Sequence, residues 1–316
     1  MSRPRLSVEL LRGVWSKKMQ QTGKETLVLE TKEIAFRGKR VTTWDRLRRN
    51  PGAMIGLVLI VLLLLTALTA DLVASQGIDK QDLLKGLLPP SREFPLGTDE
   101  FGRDLLSRII HGSRISLQVA IIATTISAMV GIGLGAIAGY FGGRIGYCVQ
   151  TMVDISWAFP TVLLALFLVA VLGAGLTNLM IAVGLSYWGG FAAIVRAQVL
   201  SLREWEFISA ARAIGARHPR IMFRHIMPNI LSPVIIMATM MMADAILIEA
   251  TLSFLGMGAQ PPIPSWGSIL ASGRSYLRLA PWVTFFPGVA IMLTVLGFNL
   301  LGDGLRDALD PRLKNE

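Results

Sequence analysis

The residues best suited to chemistry in this 316-residue chain are few and far apart. His111, His218 and His225 are too scattered to make a ligand pair such as His-x-x-x-His on one helix, and no carboxylate is spaced to complete a set. Met237, Met240, Met241 and Met242 offer thioethers of the kind that bind copper(I), but their crowding on one apolar stretch reads as adaptable helix packing. Cys148 is the single cysteine, which excludes a disulfide framework and a thiolate zinc cluster. Gly131, Gly133 and Gly135 lack the spacing of a phosphate-cradling loop, and Gly23-Lys24 lacks both the earlier glycine and the following hydroxyl residue. No nucleophile stands with a base. The reading is a chain without a catalytic, cofactor or metal site of its own.

The elements that carry these residues are apolar. The chain is 53% hydrophobic and 16% charged, and its charges crowd into a few stretches. Six apolar runs stand out, at 52–74, 115–140, 149–172, 176–199, 231–256 and 282–302, each long enough to cross roughly 30 Å of hydrocarbon as a helix. They are continuously apolar and lack the period-2 alternation of barrel strands, so the expected fold is an all-α membrane protein with six transmembrane helices. About fifty mostly polar residues precede the first run, which is not the layout of a cleavable signal peptide. Residues 1–50 hold thirteen Lys/Arg against five Asp/Glu, and with both ends inside, 23 of the 31 basic residues fall in cytoplasmic segments. The net charge of +10 therefore reads as positive-inside topology, not as a nucleic-acid footprint. The organisation predicted is a cytoplasmic tail at 1–51, a first span at 52–74 and a periplasmic segment at 75–114. A core at 115–302 follows, with a cytoplasmic loop at 201–230, a periplasmic loop at 257–281 and a cytoplasmic tail at 303–316.

Within the spans, Gly131, Gly135 and Gly139 recur every four residues and offer one helix face for close approach of another helix. Asp244 and Glu249 lie deep in the fifth run, where a charge is costly and faces a pathway or a partner; both are pathway candidates directed at the bundle interior. Asp154 has two readings, an interfacial residue paired with an arginine such as Arg144, or a pathway group. Between the fourth and fifth runs, 206–215 reads as a short helix with an acid at its start and Gly215 at its end. A second short helix is expected from Pro219, running through Phe223 and Ile226 to Pro228.

Ala210-Ala211-x-x-x-Gly215, followed by Ile226-Met227-Pro228, resembles the coupling loop of ATP-binding-cassette importer permeases. Three further stretches are similar to the second, C-type permease of dipeptide, oligopeptide and nickel importers. They are Phe94-Pro-Leu-Gly-Thr-Asp-Glu-Phe-Gly-Arg-Asp104, then Ser253-Phe-Leu-Gly-Met-Gly258 with Pro261-Pro-Ile-Pro-Ser-Trp-Gly267, and Asn299-Leu-Leu-Gly-Asp-Gly-Leu-Arg-Asp-Ala-Leu-Asp-Pro311.

The resemblance implies the type I importer permease fold and a loop that docks on a separate ATPase through Glu206, Ser209, Ala210, Ala211, Gly215, Phe223, Ile226 and Pro228. Ser209 stands where the family carries Glu, with Glu206 one turn earlier as the acid at hand. It also implies a homologous second permease, two ATPase subunits that hold ATP and Mg, and an extracytoplasmic solute-binding protein, all at a bacterial inner membrane. Asp99, Arg103, Asp104 and Trp266 are the candidate docking residues for that binding protein, with Trp266 expected at headgroup level. Peptides are the first cargo implied; nickel or a nickel chelate and glutathione-like conjugates are the alternatives. The rival from another class is an autonomous ion-coupled carrier or channel that binds its ion at Asp244 and Glu249.

Overall fold

The computed structural model describes residues 42–74, 77 and 80–309. Most of the 1–51 tail, and Asp310 and Arg312 of the C-terminal tail, lie outside the described residues. The chain divides into two units, Met1–Arg46 and Leu47–Glu316. Of the first, residues 42–46 are described; they open α1 (Thr43–Arg49), where Asp45 Oδ2 accepts the Thr42 hydroxyl at 2.8 Å.

The helical bundle belongs to the second unit. It comprises α2 (Pro51–Leu68), α3 (Ala70–Val73), α4 (Leu105–Phe141), α5 (Gly143–Trp157), α6 (Thr161–Leu172), α7 (Leu176–Leu202), α8 (Glu206–Ala213), α9 (His218–Phe254), α10 (Trp266–Gly273) and α11 (Trp282–Leu309). Among the described residues there is no strand, only an isolated bridge between Thr98 and Asp104. Among the described residues five helices (α2, α4, α7, α9 and α11) are long and apolar enough to cross a membrane, and α5 with α6 would make a sixth crossing if that bent pair is one span.

Two of these elements differ from the sequence expectation. The third run, expected as one span over 149–172, is broken: α5 and α6 meet at 91°. Pro160 is the cause, because it lacks an amide donor and disfavours helical backbone at Phe159 before it. In the second case, Pro228 was expected to end a short helix, yet α9 runs through it for 37 residues. A π-helical stretch, Met222–Ile226, lies just before the proline, and Met227 N–H reaches back to Met222 O. This wider turn relieves the clash that Pro228 would otherwise make with the preceding helical turn.

Close backbone approach sets the packing. A Cβ added at Gly131 would lie 2.4 Å from Phe191 Cβ, at Gly135 2.5 Å from Ala192 O, and at Gly139 2.8 Å from Arg196 O. All three contacts are with α7, which makes the most extensive helix pair of the chain with α4. Gly133, on the other side of α4, meets nothing within 4 Å. A second seam joins α2 to α11, where a Cβ at Gly56 would strike Gly297 O at 2.7 Å and one at Gly304 would strike Ala53 Cβ. Without a hydrophobic drive between helices in lipid, such contacts supply the van der Waals attraction that holds a bundle together. α9 then lies against α4, α7, α10 and α11.

Candidate functional site

At one end of the bundle, α8 and the start of α9 form a compact projection. The chain leaves α7 at Leu202, turns, and enters α8 with Glu206 in its first turn, where an acid suits the helix dipole. Gly215, at φ +79°, closes α8: its N–H bonds Arg212 O at 2.9 Å and Ala216 N–H bonds Ala211 O at 3.0 Å, the paired bonds of a Schellman cap. Ile208, Ala211, Ile221 and Ile226 are buried together with Val195, Val199 and Leu202 of α7. Glu206, Ser209, Ala210, Gly215 and Pro228 are exposed, as are Phe223 (72%) and Ile214 (85%). The eight expected docking residues thus divide, and Ala211 and Ile226 are corrected to inward-facing residues that shape the projection without presenting themselves to a partner.

Behind the projection lies a polar cavity of about 390 Å³ lined by Tyr140, Phe141, Arg203, Glu204, Arg212 and His218. Tyr140 Oη and His218 Nδ1 are 2.8 Å apart, the Arg212 guanidinium lies 5.6 Å from the Tyr140 ring centre, and Arg203 pairs with Glu204 at 2.8 Å. The end of α4 is therefore tied to both arms of the projection. None of these contacts was read from the sequence, because Tyr140 and His218 are 78 residues apart. Deeper along α7, Arg196 donates to Gln150 at 2.9 Å, and Gln150 donates to Asp154 at 2.8 Å. Asp154 is held by Gln150 and not by Arg144.

At the opposite end the expected docking residues turn inward. Asp99 is 1% exposed; its Oδ2 meets Arg103 Nε at 2.6 Å and Arg108 Nε at 3.3 Å, while Oδ1 accepts the N–H groups of Phe101 and Arg103 at 2.9 Å. Asp104 caps α4, accepting Ser107 N–H at 2.9 Å. Trp266, expected at headgroup level, is 2% exposed; its indole donates to Ile109 O at 2.9 Å and its ring lies against Gly112, where a Cβ would come within 2.8 Å. Asp99, Arg103, Asp104 and Trp266 are accordingly corrected from docking contacts to an internal frame that fixes the 82–104 loop and α10 on α4. Arg108, nine residues after Asp99, is the member of this cluster that turn chemistry did not flag.

The two pathway candidates also separate. They are five residues apart on α9, about 140° around the helix. Glu249 is 0% exposed and accepts hydroxyl hydrogen bonds from Ser253 at 2.7 Å and Ser116 at 3.2 Å. Those serines belong to α9 and α4, so Glu249 joins these two helices inside the bundle and is corrected from a pathway residue to a buried joint. Asp244 is exposed and so lies outside the bundle interior to which it was assigned. Tyr187 of α7 is close enough to feel its charge.

Comparison with known proteins agrees with this geometry. Residues 131–315 match the family model of the binding-protein-dependent transport system inner membrane component, and residues 41–90 match the N-terminal transmembrane domain of oligopeptide transport permease C. The chain is 47% identical to the dipeptide transport system permease protein DppC of Alkalihalophilus pseudofirmus, over 86% of this chain and 90% of that protein. It is 39% identical to the oligopeptide transport system permease protein OppC of Bacillus subtilis, over 87% and 92%. It is 42% identical to the glutathione transport system permease protein GsiD of Pectobacterium atrosepticum, over 86% and 91%. Among solved structures, a chain from the inward-facing MetNI methionine ABC transporter matches with a TM-score of 0.51 at 18% identity, covering 65% of this chain and 98% of that one, a likeness of fold. A frame of helices, a projection at one end and two family matches lead to one conclusion: this chain belongs to the family of binding-protein-dependent transport system inner membrane components.

Proposed function

We propose that this chain forms half of the translocation pathway of an ATP-driven importer of di- or oligopeptides, paired with a homologous permease, two ATPase subunits and an extracytoplasmic solute-binding protein. The observation that carries the reading is the projection itself: a short helix whose inner face is locked to α7 and α9 while Ser209, Ala210 and Phe223 remain outward. Such a surface can transmit a push because its base is rigid. Ser209 in place of an acid leaves shape and small side chains as the main source of fit with the ATPase. The basic residues concentrated at this end favour its placement in the cytoplasm, with both termini on that side of a bacterial inner membrane. ATP and Mg then belong to the ATPase partners. ATP-driven closure of those partners shifts the balance between inward- and outward-open states through contacts that differ between the two.

The cargo assignment follows the dipeptide and oligopeptide relatives; glutathione, carried by a relative of similar identity, is the second reading. With the expected docking residues buried, exposed side chains of the same loop, such as Leu84 and Phe101, are left to meet a binding protein. Membership of a binding-protein-dependent family leaves the autonomous carrier without support. The test is reconstitution of the complete transporter in vesicles and measurement of ATP-dependent uptake of a dipeptide, an oligopeptide and glutathione. Peptide uptake that requires both the ATPases and the binding protein is the expected result, and glutathione uptake alone overturns the peptide assignment.

A further inference from the structure

We propose that Asp244 is a station for positive charge on the cargo, a carboxylate on the pathway face of α9 that meets the α-ammonium group of a passing peptide. The inference rests on the permease reading above and adds to it the chemistry of one contact.

From Met227 to Phe254, α9 contains two ionisable residues, Asp244 and Glu249. Glu249 is fully engaged with serine hydroxyls inside the bundle. Asp244 lies on an exposed stripe that continues through Leu247, Thr251 and Leu255 at helical spacing. The hydroxyl along this side is already used: Thr251 donates to Leu247 O at 2.7 Å. Asp244 makes no hydrogen bond or ion pair among the described residues. It is therefore the charged group of an otherwise apolar stripe.

Its depth makes that exposure informative. Asp244 is ten residues from the end of α9, on the order of 15 Å along the axis, which places it well inside a hydrocarbon layer of roughly 30 Å. A carboxylate at that depth turned toward lipid tails is strongly disfavoured, so this side of α9 faces a wetted space or a cation. In a permease the wetted space is the pathway. Every peptide with a free amino end carries a cation into it, and a single carboxylate on an apolar wall holds that cation without binding the variable side chains. A station of this kind suits a cargo class defined by its backbone.

The experiment uses the assembled transporter in vesicles, with Cys148→Ser removing the native thiol and Leu247→Cys placing a new one about one turn from Asp244. Cationic and anionic methanethiosulfonates of matched size are the probes, and their rate ratio cancels any effect of Asp244 on thiol ionisation. The cationic reagent is expected to react roughly tenfold faster, the low end of electrostatic focusing by a low-dielectric cleft. The preference should fall toward unity in Asp244→Asn, and a free-amino dipeptide should slow the cationic reagent while its N-acetylated form does not. If Leu247→Cys resists both reagents in a complex that still hydrolyses ATP, this side of α9 is not wetted and the pathway reading fails. If both reagents react and the ratio is unchanged in Asp244→Asn, the pathway stands and the charge station is overturned; a permanent ion pair with the second permease would give that result.

Discussion

Replacing Gly135 by alanine tests whether the α4–α7 seam is held by backbone contact. The added Cβ would lie 2.5 Å from Ala192 O and 2.9 Å from Ala192 Cα, against an ordinary separation of about 3.5 Å between such atoms. Both obstacles are backbone, so no side-chain rotation relieves them, and the helices must part by the better part of an ångström. Overpacking of this kind costs about 1–3 kcal/mol, set against a helix-propensity gain of up to ~1 kcal/mol for Gly→Ala. Gly133 is the internal control: it lies two residues away on the same helix, nothing stands within 4 Å of its added Cβ, and only the gain applies. The two variants should therefore differ by about 1–3 kcal/mol. Thermal unfolding of the detergent-solubilised chain measures this, with Gly135→Ala less stable than the parent and Gly133→Ala equal or more stable. Since Tyr140, in the last turn of α4, lies beneath the projection, Gly135→Ala should also lower ATP-dependent uptake more than Gly133→Ala. Equal melting temperatures for the two variants would refute the reasoning.

Three other perturbations follow from the same geometry. Ala210→Arg, on the exposed side of α8, should leave unfolding unchanged and cut uptake by more than tenfold, whereas Ala211→Arg, in the buried cluster with Ile208 and Ile226, should destabilise the chain by about 3 kcal/mol or more. Parallel melting curves and vesicle uptake separate them, and equal unfolding of the two would place the wrong side of α8 outward. Glu249→Ala should cost ~2–5 kcal/mol, because it leaves a cavity and removes the acceptor of two hydroxyls, while Glu249→Gln keeps the volume and stays within ~1 kcal/mol; denaturant titration reads both. Gly215→Ala meets no atom within 4 Å, so its cost is the left-handed backbone alone, about 1 kcal/mol, seen as faster amide exchange confined to residues 206–216.

What the sequence could state depended on whether one element or two were involved. The recurrence of Gly131, Gly135 and Gly139 is readable as a helix face because side chains four apart align, and Gly133 is excluded by the same rule. That α7 is the helix brought against this face is a property of the folded chain. Prolines show the limit more sharply. Pro160 breaks a run that hydropathy draws as one span, Pro228 is absorbed by a π-helical turn, and Pro233 and Pro287 lie inside long helices. The residue is the same each time, and the neighbouring helices decide whether the freed carbonyl is tolerated. Polar motifs misled for a related reason. Asp99, Arg103 and Asp104 have the pattern of an exposed turn, yet Arg108, on the following helix, closes the charge balance from within. Trp266 has the position of an interfacial aromatic, yet Gly112, 154 residues away, leaves room for its ring in the core.

These corrections change what the chain's charged residues are for. Asp99, Arg103, Arg108 and Glu249 fix the end that carries α10, and each is engaged by contacts within the chain. The end that carries α8 has the opposite character, with exposed aromatic and small side chains above a polar cavity. α9 connects the two without interruption over 37 residues, roughly 55 Å at 1.5 Å per residue. A displacement applied at α8 therefore reaches the Glu249 joint through one hydrogen-bonded rod and passes Asp244 on the way. The π-helical turn at Met222–Ile226 lies next to the projection and not in the apolar middle. On the coupling role proposed above, a partner's motion accepted at that end is delivered through α9 as a shift of whole helices.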